Sequence, residues 1–351
     1  MSSIWNKRIS VSIFGEENGP AVGVTIDDLP SGEFIDAEAI ERFMARRYPE
    51  SLKNSCRRTS SPRIMSGIIN DRTTGAPLCA LLQNQNRKAP VQKPDPASRY
   101  GHADYTGAVR YRGYSDVAQK AAQFTDRLTA PFCFAGAVCG QILERRGIYT
   151  GAHIAQLHKI RDNPFDPVNI TRDAVLSVRE KDFPVINDRK GWDMLADIEL
   201  AGSVGESLGG IIECAAVNVP AGIGSPFFDG LENTIAQLMF GIPGVMGLEF
   251  GAGFGSASML GNQSEDEFYT NDRGHCVTKT NNHGGILGGI SSGMPVTMRV
   301  AFKPAAPVMS ESDALPESAY EPCFVPKAVP CVESAVNIAL LSHMLEFPNF
   351  C

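Results

Sequence analysis

Apolar and polar positions alternate with period two over Ile9–Phe14 and Val22–Ile26, which predicts two strands around a tight turn at residues 15–19. Asp36 then opens a helical pattern that runs to about Arg47 and is closed by Pro49. Ile64–Ile69 and Leu78–Leu82 read as short strands parted by the Thr73-Thr74-Gly75 turn, and residues 83–100 lack periodicity. Thr129–Arg146 has small or apolar residues on nearly every side and Gly147 as its stop, the signature of a helix buried all round. Farther on, Ile211–Val217, Val245–Phe250 and Met298–Phe302 read as strands. The span from about Asp229 to Phe240 reads as a helix, and Ala328–Leu345, with Pro330 near its start, as a closing helix. The order predicts an α/β protein in the mixed α+β sense. With no linker or sharp composition shift in its 351 residues, one large domain over 1–351 is expected.

Composition narrows the class. A 43% hydrophobic and 20% charged chain is globular rather than disordered. No uninterrupted apolar run reaches the roughly 20 residues of a membrane span, and the amino terminus has no signal-peptide core, so a cytoplasmic protein without a membrane partner is expected. Nine scattered cysteines without a Cys-x-x-Cys pair argue for reduced thiols rather than disulfides or a metal site. Charge is unevenly placed. Between Arg42 and Arg127 stand sixteen lysines and arginines against six acidic residues, although the whole chain has 32 against 39. An acidic protein with one basic region suits a small anionic ligand and disfavours nucleic acid.

The most unusual stretch is Thr280 to Gly293, where paired glycines open the backbone to close approach and flanking Asn and Ser residues supply hydrogen bonds. Ligand contact is expected there. Gly251-Ala252-Gly253-Phe254-Gly255 follows a strand but lacks the helix and the ribose-binding acid of a dinucleotide site. Arg99 to Asp104 places His102 beside a carboxylate and near a cation, which suits a proton donor. Arg46, Arg47, Lys53, Arg57, Arg58 and Arg63 crowd the segment after the first predicted helix and suit a multiply anionic substrate.

The order of these motifs resembles the chorismate synthase family over nearly the whole chain. It runs from Ser12-Ile13-Phe14-Gly15-Glu16 through Ile64-Met65-Ser66-Gly67 and Gly101-His102-Ala103-Asp104-Tyr105-Thr106-Gly107 to Arg127-Leu128-Thr129-Ala130-Pro131. It continues through Val217-Asn218-Val219-Pro220-Ala221-Gly222, Gly247-Leu248-Glu249-Phe250-Gly251 and the glycine-rich stretch to Pro322-Cys323-Phe324-Val325-Pro326. The resemblance implies a β-α-β sandwich, a homotetramer, reduced FMN from an external reductant, and anti-1,4-elimination of phosphate from 5-enolpyruvylshikimate 3-phosphate to give chorismate. It implies His102 as proton donor and Glu321 as assisting carboxylate. Arg46, Arg47, Lys53 and Arg127 would bind substrate, with Lys53 in an arginine's place. Thr125, Asn282, Gly288 and Lys303 would hold the flavin.

Several family positions are altered. Asn18 stands for a proton-donating histidine, and an amide donates a hydrogen bond but releases no proton near neutrality. Asp126 adds negative charge where a phosphate would lie nearby. Ala305 and Ala319 replace a hydroxyl and an arginine. These changes leave two further readings beside the enzyme: a non-catalytic binding or assembly paralogue, and a flavin enzyme for another phosphorylated acid.

Overall fold

The computed structural model describes residues 3–16, 19–52, 61–84, 103–112, 124, 126–272, 274–305 and 322–347. Two five-stranded antiparallel sheets enclose a pair of helices. In the first sheet the order is Ile4–Asn6, Ser10–Gly15, Ala21–Asp27, Leu78–Gln83, Arg63–Ser66. In the second it is Val245–Phe250, Val296–Phe302, Gly210–Val217, Tyr149–Leu157, Ile160–Arg161. Helix Thr129–Arg145 packs on the first sheet and helix Val325–Glu346 on the second, and the two helices pack on each other. The expected β-α-β sandwich is present.

Both central helices are apolar on all sides because every side faces protein. Fourteen residues of Thr129–Arg145 are buried, from Thr129 through Leu143. Val325–Glu346 has the length and hydropathy to cross a bilayer, but 94% of its apolar window is buried inside the fold. Gly136 lies so close to Ser334, and Gly140 to Asn337, that a Cβ at either would collide with the facing helix. These glycines set the close approach of the helix pair. Side chains from Ile9 to Met344 join in a continuous apolar cluster. Burial at ~25 cal/mol per Å² makes that cluster the dominant favourable term.

Local signals act as the sequence suggests at several points. The Asp36 carboxylate accepts the Ala39 N–H at 3.1 Å and caps helix Ala37–Ala45. Gly147, at φ 82°, ends the first central helix. The expected strand Ile64–Ile69 is broken into Arg63–Ser66 and Ile68–Ile69, because Gly67 (φ 87°) turns against Leu78 and a bulge shifts the register after Ile64. The closing helix begins at Val325, three residues before the expected Ala328, with Pro326 in its first turn where no N–H is needed. The longer elements without a sequence counterpart above include the strand Tyr149–Leu157 and the helices Arg172–Arg179 and Asp188–Ser203.

Candidate active site

Arg47 and Arg127, eighty positions apart, meet around Tyr48. Arg47 leaves helix Ala37–Ala45 and is fully buried (0% exposed). Its Nη2 donates to the Asp126 carbonyl at 3.0 Å and to Thr129 Oγ1 at 2.6 Å, and its Nη1 lies 3.4 Å from the Tyr48 hydroxyl. The Tyr48 hydroxyl also helps to hold the charge of Arg127. Lys327, from the first turn of the closing helix and almost fully buried, holds its Nζ 5.3 Å from the Tyr48 ring centre and 3.9 Å from Asp126 Oδ2. The Arg47 guanidinium stacks over the same ring at 5.3 Å. Three cations therefore share one phenol and one carboxylate.

Electrostatics follow from that count. Burial works against the Arg47 charge, but Tyr48, the Cys133 and Cys331 thiols and Asp126 outweigh it and hold its pKa above the ordinary arginine value. Arg127 is shifted the other way, chiefly by burial and in part by the neighbouring Arg47. Both remain cationic at any pH the protein meets. Arg47 Nε is buried with no hydrogen-bond acceptor among the described residues, which leaves donor capacity unspent.

Arg127 links this cluster to the turn that carries position 18. Its Nε donates to Asn84 Oδ1 at 2.8 Å and its Nη2 to the Gln83 carbonyl at 3.0 Å. Asn84 Nδ2 in turn donates to the carbonyls of Glu16 (3.0 Å) and Gly19 (2.9 Å), on either side of Glu17 and Asn18. Asn84 and Gln83 also line a cavity of about 340 Å³ with Pro20, Ala21, Arg63, Met65 and Leu81.

Arg46 is engaged elsewhere. Its two terminal nitrogens grip Glu333 at 2.5 and 2.7 Å, and Glu333, fully buried in the closing helix, also accepts the Ala152 N–H at 2.9 Å. In this structure the Arg46 guanidinium ties the end of helix Ala37–Ala45 to the closing helix, Glu333 in turn ties that helix to the second sheet, and Arg46 does not join the Tyr48 cluster.

The glycine-rich stretch is mostly packed against its own protein. A Cβ on Gly284, Gly285 or Gly289 would collide with the backbone of Gly251, Pro295 or Ser225, and all three have positive φ (65°, 80° and 86°). Gly288 differs, because a Cβ there would meet nothing within 4 Å. Gly251, in the apparent dinucleotide motif, likewise abuts Asn282, so that motif serves loop-to-loop contact. Asn282 bonds inward, its Nδ2 to the Gln263 carbonyl at 3.2 Å and its N–H to Asp266 at 2.8 Å. Asp266 also accepts from Thr280 and His283; burial opposes its charge, but these donors hold its carboxyl below the usual range. Lys303 lies just beyond strand Val296–Phe302, its N–H bonded to the Gly244 carbonyl at 2.9 Å.

Asn18, Lys53, His102, Thr125 and Glu321 lie outside the described residues. Sequence reasoning assigned no role to Tyr48, Asn84, Lys327 or Glu333. Lys327 and Glu333 could have been flagged as charges inside an otherwise apolar helix, where an ionised side chain demands a partner. Asn84 gave no signal beyond its place at a strand end.

Comparison with known proteins agrees with this architecture. The profile of the chorismate synthase family matches residues 9–345. A chorismate synthase of Thermococcus kodakarensis is 36% identical over 97% of both chains, and one of Lancefieldella parvula is 35% identical over 99% of this chain and 98% of the other. A crystal structure of chorismate synthase superposes with a TM-score of 0.80 and 25% identity, covering 97% of this chain and 93% of that one. The chain belongs to the chorismate synthase family of carbon–oxygen lyases.

Proposed function

We propose that the protein forms chorismate from 5-enolpyruvylshikimate 3-phosphate by anti-1,4-elimination of phosphate, with reduced FMN from an external reductant. In the balanced reaction a ring C–H bond breaks and its proton leaves, the C–O bond to phosphate breaks and phosphate takes the electron pair, and a new double bond forms without net redox change. The substrate carries two carboxylates and a phosphate. The observation that supports this reading most is the meeting of Arg47, Arg127 and Lys327 at Tyr48. Such fixed cations bind and orient an anionic ring and require no rearrangement as charge gathers on the leaving group. Arg46 and Lys53 belong to the same basic region but take a supporting part in this reading.

Reduced FMN, when bound, lends electron density as phosphate departs and assists loss of the ring proton. The residues present fit a flavin in part: the open face of Gly288 leaves room for close backbone approach, and Lys303 supplies a cation beyond the strand end. Asn282 and Thr125 complete the proposed set. His102 delivers or removes protons, Glu321 assists as a carboxylate, and Asn18 contributes hydrogen bonding only. A cytoplasmic homotetramer with residues 1–351 as one domain completes the proposal.

Anaerobic turnover of 5-enolpyruvylshikimate 3-phosphate with chemically reduced FMN tests it. Chorismate and phosphate are expected in equal amounts; flavin binding without phosphate release contradicts the reaction. Asn18→His is expected to raise the rate by about tenfold or more, since a general acid contributes ~10²–10⁴-fold. An unchanged rate with flavin bound would show that position 18 does not limit turnover.

A further inference from the structure

The two central helices also bring a pair of thiols together. Cys133 lies one turn beyond Thr129 in helix Thr129–Arg145, and Cys331 one turn beyond Lys327 in helix Val325–Glu346. The two are 198 positions apart, yet their sulfurs stand 3.5 Å from each other and both residues are fully buried. Cys133 donates to Cys331 Sγ, and Cys331 as a thiol donates to the Lys327 carbonyl at 3.5 Å. Their surroundings set the two thiols apart. The hydrogen bond from Cys133 and the nearby Arg47 charge outweigh burial and hold the Cys331 thiol below its ordinary value. Burial first, and Cys331 second, push Cys133 up. Buried Cys139 and Cys214 are pushed up as well. Cys331 therefore has the character of an attacking sulfur and Cys133 that of a resolving one.

We propose that Cys133 and Cys331 form a site of reversible oxidation, at which a peroxide closes a disulfide between the two central helices beside Arg47. The Cys331 sulfur attacks one peroxide oxygen, the O–O bond breaks, and a sulfenic acid and one water result. The Cys133 sulfur then attacks the Cys331 sulfur and the S–O bond breaks. The departing hydroxide takes the Cys133 thiol proton and leaves as a second water. Two electrons pass from the thiols to the peroxide, and a dithiol reductant returns them. A peroxide is little larger than water and suits a buried pair that local opening exposes. Bond formation draws the sulfurs from 3.5 Å to about 2.0 Å. It fixes the helix spacing one turn from Thr129, which accepts from Arg47, and one turn from Lys327 at the Tyr48 ring. A pair that served only as small apolar packing would form no such bond.

Treatment of the full chain with hydrogen peroxide, followed by denaturation, alkylation and peptide mapping by mass spectrometry, separates the two roles. A linked pair of peptides carrying Cys133 and Cys331 is expected, and dithiothreitol should abolish it. The link closes a long loop in the unfolded chain, so the oxidised protein should melt about 5 °C higher and return on reduction. Cys133→Ser should leave Cys331 as a sulfenic acid that dimedone labels, with no rise in melting temperature. Cys133→Ala replaces it if circular dichroism shows the Ser variant unfolded. Exposed Cys276 reports that the oxidant has acted. Recovery of both Cys133 and Cys331 as alkylated thiols once Cys276 is oxidised overturns the proposal, as does a linked form that melts no higher. The experiment uses neither flavin nor substrate, so failure of the proposed reaction leaves its result readable.

Discussion

Arg46 and Arg47 are consecutive residues whose charges are handled in opposite ways. Arg46 is met by a buried carboxylate in a bidentate geometry, and that carboxylate has a backbone N–H as a further donor. Arg47 is buried more deeply, yet it shares its surroundings with two other cations and has an unspent donor. A buried charge with a matched partner serves the fold, because the pair satisfies itself and offers a ligand nothing. A buried charge among like charges gains from an added anion. The contrast between satisfied and open groups recurs in the glycine-rich stretch, where Gly289 is filled by neighbouring backbone and Gly288 faces empty space.

Three changes break or sharpen this contrast. Glu333→Ala leaves both the Arg46 guanidinium and the Ala152 N–H without their acceptor inside the core. It should cost about 3–5 kcal/mol in denaturant unfolding; a loss below about 1 kcal/mol would mean that the pair is not structural. Gly289→Ala forces a side chain against Ser225 at positive φ and should destabilise by roughly 1–3 kcal/mol. Gly288→Ala should cost about 1 kcal/mol in stability while lowering flavin affinity. Equal stability losses for the two glycines would erase the distinction between filled and open positions.

The smallest effect concerns the matched charges on the outer face of the second sheet. His153 is buried between Asp162 (3.1 Å) and Glu213 (2.8 Å), which overcome the burial penalty and raise its pKa above the ordinary 6.5. The folded protein therefore holds this proton more tightly than the unfolded chain. The resulting stability is complete below pH 6.5 and is lost as pH rises through the folded value. The depressed carboxyl of Asp162 acts at the other end, being lost only as pH falls below its ordinary 3.8. Urea midpoints should decline above pH 6.5 and do so less in His153→Gln; parallel profiles for the two proteins would contradict this.

The sandwich was legible where burial leaves a periodic or wholly apolar record, as in Thr129–Arg145 and the strands of the first sheet. It was illegible where close packing replaces large side chains with small ones. Strand Tyr149–Leu157 carries Gly151 against the Val175 backbone and a buried His153, so it shows neither alternation nor a continuous apolar run. Helix Asp188–Ser203 includes Gly191, packed under Val185, and Gly202, both poor helix formers. In the candidate site, clustering of basic residues drew attention to Arg46 and Arg47 together. Their opposite roles depend on Glu333 for Arg46 and on Tyr48, Arg127 and Lys327 for Arg47, and clustering of basic residues alone does not show which cation meets which group. The glycine-rich stretch was conspicuous for its composition, although most of its glycines accommodate neighbouring backbone.

The separation of Arg47 from Arg46 is tested most directly by calorimetric binding of 5-enolpyruvylshikimate 3-phosphate to Arg47→Met and to the unaltered protein. Removing one partner of a buried charged contact typically costs 2–5 kcal/mol, so Arg47→Met should bind at least about thirtyfold more weakly while remaining folded. Undiminished affinity in the folded variant would contradict the assignment of the Tyr48 cluster as the anion site.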